Sequence, residues 1–216
     1  MICIVCNSQK GGSGKSTVCR VLAVHASHLG RSVFLIDTDT QGTLTQWHEA
    51  RQAIEPQRVE LARETLPQGL KALAAKGAEF VFIDTPPNAS EHLDDVFSLA
   101  DLVLVPIKPT PDDLKAALVT VNRLKALGVP FLFVLTQAIQ NTNITAQAIA
   151  ALSHHGPVAE SILGNRVAYP SAFTDGRTPQ EIEAKGAAAK EIAGLWANIQ
   201  TSLHISKIKL RSAANG

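Results

Sequence analysis

No cysteine follows Cys19, and neither sign of charge dominates, with 20 Lys and Arg against 19 Asp and Glu and a formal net charge of +1. No apolar run reaches the length of about 18 residues that a membrane-crossing helix needs. Nor does a signal peptide precede the first apolar segment, so the expected location is the cytoplasm. The near-neutral balance excludes a generally basic nucleic-acid coat, and any DNA contact has to come from a local patch or from an assembled dimer. Cys3 and Cys6 are spaced like a metal-binding pair. Residues three apart in a strand face opposite ways, however, and no later Cys or matched His pair completes a site, which leaves buried thiols as the better reading. Also missing are linkers, internal repeats and low-complexity blocks. With 45% hydrophobic and 18% charged residues in 216, the expectation is one domain over 1–203. A basic, frayed tail is expected over 204–216.

What the chain does have begins at its first residue. Residues 1–6, MICIVC, form a continuous apolar segment of the kind that makes a parallel strand buried on both faces. Glycines follow at 11, 12 and 14, then Lys15, Ser16 and Thr17. Such a loop curls so that successive N–H groups point inward, an anion nest at the start of the next helix. Gly11, Gly12, Ser13, Gly14, Lys15, Ser16 and Thr17 are therefore the expected nucleotide-phosphate ligands. Lys15 would reach the β- and γ-phosphates, and Ser16 would hold Mg²⁺. The general phosphate-loop pattern asks for glycine where this chain has Gln9, and Lys10 follows it.

The segment Lys10-Gly11-Gly12-Ser13-Gly14-Lys15-Ser16 resembles the deviant Walker A motif of the ParA/MinD family of ATPases, most of all the small ParA-type plasmid-partition ATPases. Lys10 matches the signature lysine, which in that family crosses a nucleotide-sandwich dimer to the partner's ATP. The resemblance implies a P-loop fold of the α/β class: a doubly wound, mostly parallel sheet flanked by helices. The lack of late cysteines disfavours the iron-sulfur members of the same superclass.

Three further motifs stand in the family's order. Ser32–Ile36 reads as a buried strand that delivers Asp37 and Asp39 to the sheet's C-terminal edge. The segment through Asp37-Thr38-Asp39-Thr40-Gln41-Gly42 resembles the family's DxDPQG, with Thr40 in place of proline. By resemblance Asp39 orients or deprotonates the attacking water and Asp37 supports the Mg²⁺ shell. One of the two alternatively caps the helix beginning near Thr43. Residues 78–83, AEFVFI, form a strand ending in Asp84, a Walker B carboxylate for the Mg²⁺ water shell, followed by Thr85-Pro86-Pro87-Asn88 where the family has switch II. Residues 101–106 are a further strand, and Thr110 an N-cap ahead of Pro111 and Asp112. The strand over 129–135 ends at Gln137, which either bonds the adenine or is a plain loop position.

Elsewhere the pattern gives an edge strand over 58–61, helices over 66–76 and 144–155, and a short strand over 158–162. A single long C-terminal helix is expected over 179–203, with Ile182, Ala189, Ile192, Leu195, Trp196, Ile199 and Leu203 as its packing stripe. Trp47 reads as core. Arg166 is either surface or a contact for a dimer face or DNA. The resemblance implies an ATPase that binds ATP/ADP and Mg²⁺, with Lys10, Lys15 and Asp39 as its catalytic residues. It further implies a homodimer with ATP, nonspecific DNA binding, nucleoid association in the ATP state, and a ParB-like or other adaptor that stimulates hydrolysis. The alternatives are a membrane-associated ATPase like MinD and a ligase of the dethiobiotin synthetase kind. The first needs a stronger terminal amphipathic helix than ISKIKLRSAANG offers, so membrane attachment is not expected. The second has no use for Lys10.

Overall fold

A computed structural model describes residues 1–87 and 93–214. In chain order the elements are β1 (Ile2–Cys6), α1 (Lys15–His28), β2 (Val33–Asp37), α2 (Thr43–Glu49), β3 (Gln57–Arg58), a 3-10 turn (Arg63–Thr65), α3 (Leu66–Ala75), β4 (Phe80–Asp84), α4 (Leu93–Ser98), β5 (Leu102–Ile107), α5 (Pro111–Ala126), β6 (Phe131–Ala138), α6 (Asn143–Ser153), β7 (Leu163–Gly164), α7 (Ala168–Phe173), α8 (Pro179–Ile182) and α9 (Ala187–Ala214). The strands form one parallel sheet in the order β3-β2-β4-β1-β5-β6-β7. The doubly wound P-loop architecture expected from the sequence is the one observed.

The long strands are apolar throughout because helices cover both faces. Alternate residues of one strand enter different layers. Ile4 and Cys6 of β1 pack toward α1, α2 and α9, with Val21, Leu22, Leu44, Ile192 and Trp196. Cys3 and Val5 pack toward α3, α4, α5 and α6, with Leu70, Phe97, Val121 and Leu152. Cys3 and Cys6 thus face opposite ways as free, buried thiols, and burial pushes the Cys3 thiol up to about 12. Register sets the site: Asp84 is level with Cys6 on one side and with Asp37 on the other. Two carboxylates and the start of the glycine loop therefore share one edge of the sheet, beside central β1, with α1 and α5 leaving on opposite faces.

Three expected elements differ. The edge strand is confined to Gln57–Arg58, paired with Phe34 and Leu35, rather than 58–61. Over 158–162 there is one bridge, Val158 to Phe133, and the strand proper is Leu163–Gly164. Ser161 gives its N–H to Asn198 and its hydroxyl to the Glu191 carbonyl, so α9 takes a backbone donor that a ladder would have used. The single C-terminal helix is in fact two. Glu181 is engaged in a capping box with Thr178 and bonded to Arg51, the chain leaves the helix at Glu183 (φ −135°, ψ 86°), and α9 begins after Gly186. Ile182 is half exposed as a result, while the rest of the expected stripe is buried. The backbone of 204–214 continues α9, where the sequence suggested a frayed tail. Side chains of the tail and Asn88 lie outside the described residues.

Candidate nucleotide site

The loop leaving β1 is built around two left-handed glycines, Gly12 (φ 72°) and Gly14 (φ 98°), a conformation that L side chains adopt at a cost. Gly14 is also pressed on Thr136, since a Cβ there would lie 3.2 Å from its methyl carbon. Gly14 caps α1 with no side-chain hydrogen bond, and no acidic residue sits in the helix's first turn. The first N–H groups of α1 and its positive dipole end are thus left for an anion. Lys15, the first residue of α1, is buried, 6% exposed. The loop is braced from the sheet: Thr136 Oγ1 donates to the Ser13 carbonyl (2.6 Å), and Asn7 Nδ2 donates to Thr85 Oγ1 (2.8 Å), which in turn bonds the Cys6 carbonyl.

Asp84 is 1% exposed, and neither carboxylate oxygen has a hydrogen-bond partner. Burial, with Asp37 and Asp39 adding to it, pushes its pKa up to about 7. The neighbouring Ser16 hydroxyl, short of a full hydrogen bond, and Lys15 oppose the rise. Orphaned buried oxygens are costly unless something charged completes them. Beside a phosphate loop, this pair of oxygens and the Ser16 hydroxyl fit Mg²⁺, which keeps most of its waters and leans on few protein ligands. No cluster of three or more His, Cys, Asp or Glu able to hold a metal by itself exists among the described residues. The cost has a measurable consequence. Because the folded pKa is above the unfolded value, ionising Asp84 removes stability as pH rises from about 4 to 7, and the loss stays constant above 7. Asp84→Asn should therefore be more stable than wild type at pH 8 by roughly 4 kcal/mol, with the gain disappearing near pH 4. Urea titrations of the ligand-free protein at both pH values check this.

Asp37 and Asp39 differ in their bonding. Asp37 is the one engaged in capping: Oδ2 accepts from the Thr45 N–H (2.9 Å) and hydroxyl (3.0 Å), and Oδ1 from the Asp39 N–H (3.0 Å). Asp39 accepts from the Gln41 N–H (3.0 Å) and lies half-buried in the loop opposite Glu60–Glu64. The chain holds this loop to the Walker B strand through the Thr38 N–H and hydroxyl, both donated to the Asp84 carbonyl.

Lys10 is 40% exposed and pairs with Asp113 of α5 at 3.6 Å, away from the buried Lys15. Asp113 is itself fixed by Thr110, the N-cap, at 2.5 Å. On the far side of Gly14 a cleft of about 370 Å³ opens, lined by Thr17, Gln137, Leu163, Val167, Pro170 and Phe173 among others. Gln137 (φ 51°) lies at the irregularity between β6 and β7, and its amide donates to the Gly12 carbonyl (2.9 Å), so this group braces the loop. Arg166 is on the cleft's rim in an ion pair with Glu191 at 2.7 Å, more than the plain surface position that one sequence reading gave it.

Two cations near the site carry no motif. The Lys108 ammonium, just after β5, lies 3.6 Å from where a Cβ on Gly12 would be. Arg20 is buried between the rings of Trp47 and Phe173, with its guanidinium carbon 5.6 and 4.7 Å from their centroids, and donates to the Thr43 carbonyl (2.5 Å). Burial lowers its pKa to about 10, which leaves it charged at neutral pH. Both partnerships join residues remote in sequence, and position alone gives no signal for them.

Residues 4–210 match the family described as the CobQ/CobB/MinD/ParA nucleotide binding domain. Among curated proteins, the chain is 28% identical over 192 residues to "Maintenance of carboxysome distribution protein A" of Halothiobacillus neapolitanus, covering 84% of this chain and 88% of that one. It is 28% identical over 196 residues to "Protein ParA" of Rhizobium radiobacter, covering 84% and 86%. Among solved structures, the septum site-determining protein MinD of Pyrococcus horikoshii, complexed with Mg-ADP, superposes with a TM-score of 0.76 at 17% identity, over 95% of this chain and 98% of that one. With its glycine loop, two lysines and Walker B carboxylate on one edge of a parallel sheet, the chain belongs to the ParA/MinD-containing family of P-loop nucleotide-binding proteins.

Proposed function

We propose that the protein is a Mg²⁺-dependent ATPase of the ParA type that positions a cargo by cycling between an ATP-bound dimer and an ADP-bound monomer. The α1 N-terminus and Lys15 hold the β- and γ-phosphates, and Ser16 and Asp84 take the Mg²⁺, with Asp37 keeping the switch loop in place behind them. Held there, Mg²⁺ would supply charge neutralisation to the nucleotide's phosphates. Asp39 orients the attacking water and takes its proton. The cleft beyond Gly14, with Gln137 at its lip, receives the base.

The observation that carries this reading is the contrast between the two lysines: Lys15 is buried, whereas Lys10 is 40% exposed and held, among the described residues, by an ion pair with Asp113. An exposed pair of this kind is worth at most about 1 kcal/mol, so a phosphate presented by a second subunit can displace Asp113. The γ-phosphate then decides whether two chains join. The names of the relatives, a distribution protein and a ParA, agree with a role in placing a cargo such as a plasmid, a chromosome or a protein array. Through a dimer the protein would bind DNA without sequence preference, associate with the nucleoid, and be released when an adaptor stimulates hydrolysis.

DNA binding is expected with ATP and not with ADP, because one chain of net charge +1 offers few cations and a dimer brings two patches together. Affinity should fall steeply with salt as phosphate contacts release counterions. Gel shifts on unrelated duplexes over a salt series, with each nucleotide, give the answer. Equal binding with ATP and ADP would sink the switch.

A further inference from the structure

Behind the cleft, in the first turns of α9, Glu191 is 6% exposed and gathers side-chain and backbone donors from four residues in two stretches of the chain. Its Oε1 accepts from Arg166 Nε (2.9 Å) and Nη2 (2.7 Å) and from Gln140 Nε2 (3.0 Å). Its Oε2 accepts from the Gly164 N–H (3.1 Å) and the Tyr169 hydroxyl (3.1 Å). Gly164, Arg166 and Tyr169 all line the cleft, and Gln140 lies in the loop that follows Gln137. These segments are short: β7 is two residues long, joined to β6 across an irregular register, and α7 is six residues long. A Cβ on Gly164 would come within 3.0 Å of Glu191 Oε1, so strand and carboxylate are already at contact.

We propose that Glu191 is the positioning residue of the base cleft: one buried carboxylate sets the distance between β7, the Arg166 rim and α7, and thereby the slot that a flat heterocycle enters. The cleft's apolar members, Leu163, Pro170 and Phe173, give such a ring its contact surface, and their spacing depends on the polar knot behind them. Affinity for a nucleotide then has two separable parts, a phosphate part held by the glycine loop and a base part held in shape by Glu191. This rests on the reading that the cleft receives the base.

Glu191→Gln keeps the size of the side chain but turns one acceptor into a donor, which must face a donor already there. The test compares calorimetric affinities for ATP and for inorganic tripolyphosphate, both with Mg²⁺, in wild type and in this variant, with thermal melts confirming the fold. Wild type should prefer ATP. The variant should lose about tenfold for ATP, the scale of one charge-assisted contact, and keep its tripolyphosphate affinity. Should the variant not fold, Gly164→Ala, which pushes the same contact apart from the other side, is expected to show the same selective loss. If wild type binds tripolyphosphate as tightly as ATP, the cleft does not take the base and both readings fall. If wild type prefers ATP but the variant keeps that preference, or loses both ligands equally, the role of Glu191 is overturned while the base cleft stands.

Discussion

Lys15→Ala is expected to abolish ATP binding, raising Kd by at least about a hundredfold. The lysine is 6% exposed, so in the proposed site the phosphates would meet it largely shielded from water, where a lost charge partner is not replaced by solvent. The backbone nest remains in the variant, but partial charges on a few N–H groups do not neutralise a triphosphate. A second effect compounds the first. Lys15 is one of two groups that hold the Asp84 pKa down, so its removal leaves Asp84 more protonated at neutral pH and a poorer partner for Mg²⁺. Anisotropy of a fluorescent ATP analogue reports the loss, and a Kd within threefold of wild type would remove the loop from the site.

Asp39→Ala should bind ATP within a few-fold of wild type and hydrolyse it about a hundredfold more slowly, the usual scale for losing a group that acts on the nucleophile. The structure puts most of the loop's scaffolding on Asp37. Asp39 Oδ1 accepts from the Gln41 N–H, and Asp37 holds the helix start through Thr45, so the loop's anchorage belongs mainly to Asp37. Asp39→Asn retains an oxygen for the Gln41 N–H and cannot act as a base. Both variants should be slow in steady-state phosphate release. Near-normal turnover in Asp39→Asn with slow turnover in Asp39→Ala would reduce Asp39 to a loop-shaping residue.

How far the sequence led can be read from particular residues. Strands β1, β4, β5 and β6 are visible because helices on both faces demand unbroken apolar runs, and their C-terminal ends carry the site in a parallel sheet. Short strands escape because two residues, as in β3 and β7, make no pattern, and their place is set by partners such as Leu35 and Thr136. The break between α8 and α9 escapes because apolar spacing continues across it, while the reason for it, Glu181 held by Thr178 and Arg51, needs a residue 130 positions away. Of the site, the glycine loop, Lys15 and Asp84 are local and legible. The choice of Asp37 as the capping residue, the parking of Lys10 on Asp113, and the approach of Lys108 to Gly12 depend on the packed sheet. Glu191 looks like an ordinary helix carboxylate until β7 and α7 close over it.

Light scattering of wild type and Lys10→Ala with ATP, with ADP and without nucleotide tests the sandwich most directly. Wild type should reach twice the 23.0 kDa of one chain with ATP alone and remain monomeric otherwise. Lys10→Ala should bind ADP as wild type does, because its ammonium stands on Asp113 outside the nest, and should stay monomeric in all three conditions. ATP-induced dimers of Lys10→Ala as abundant as those of wild type would contradict it.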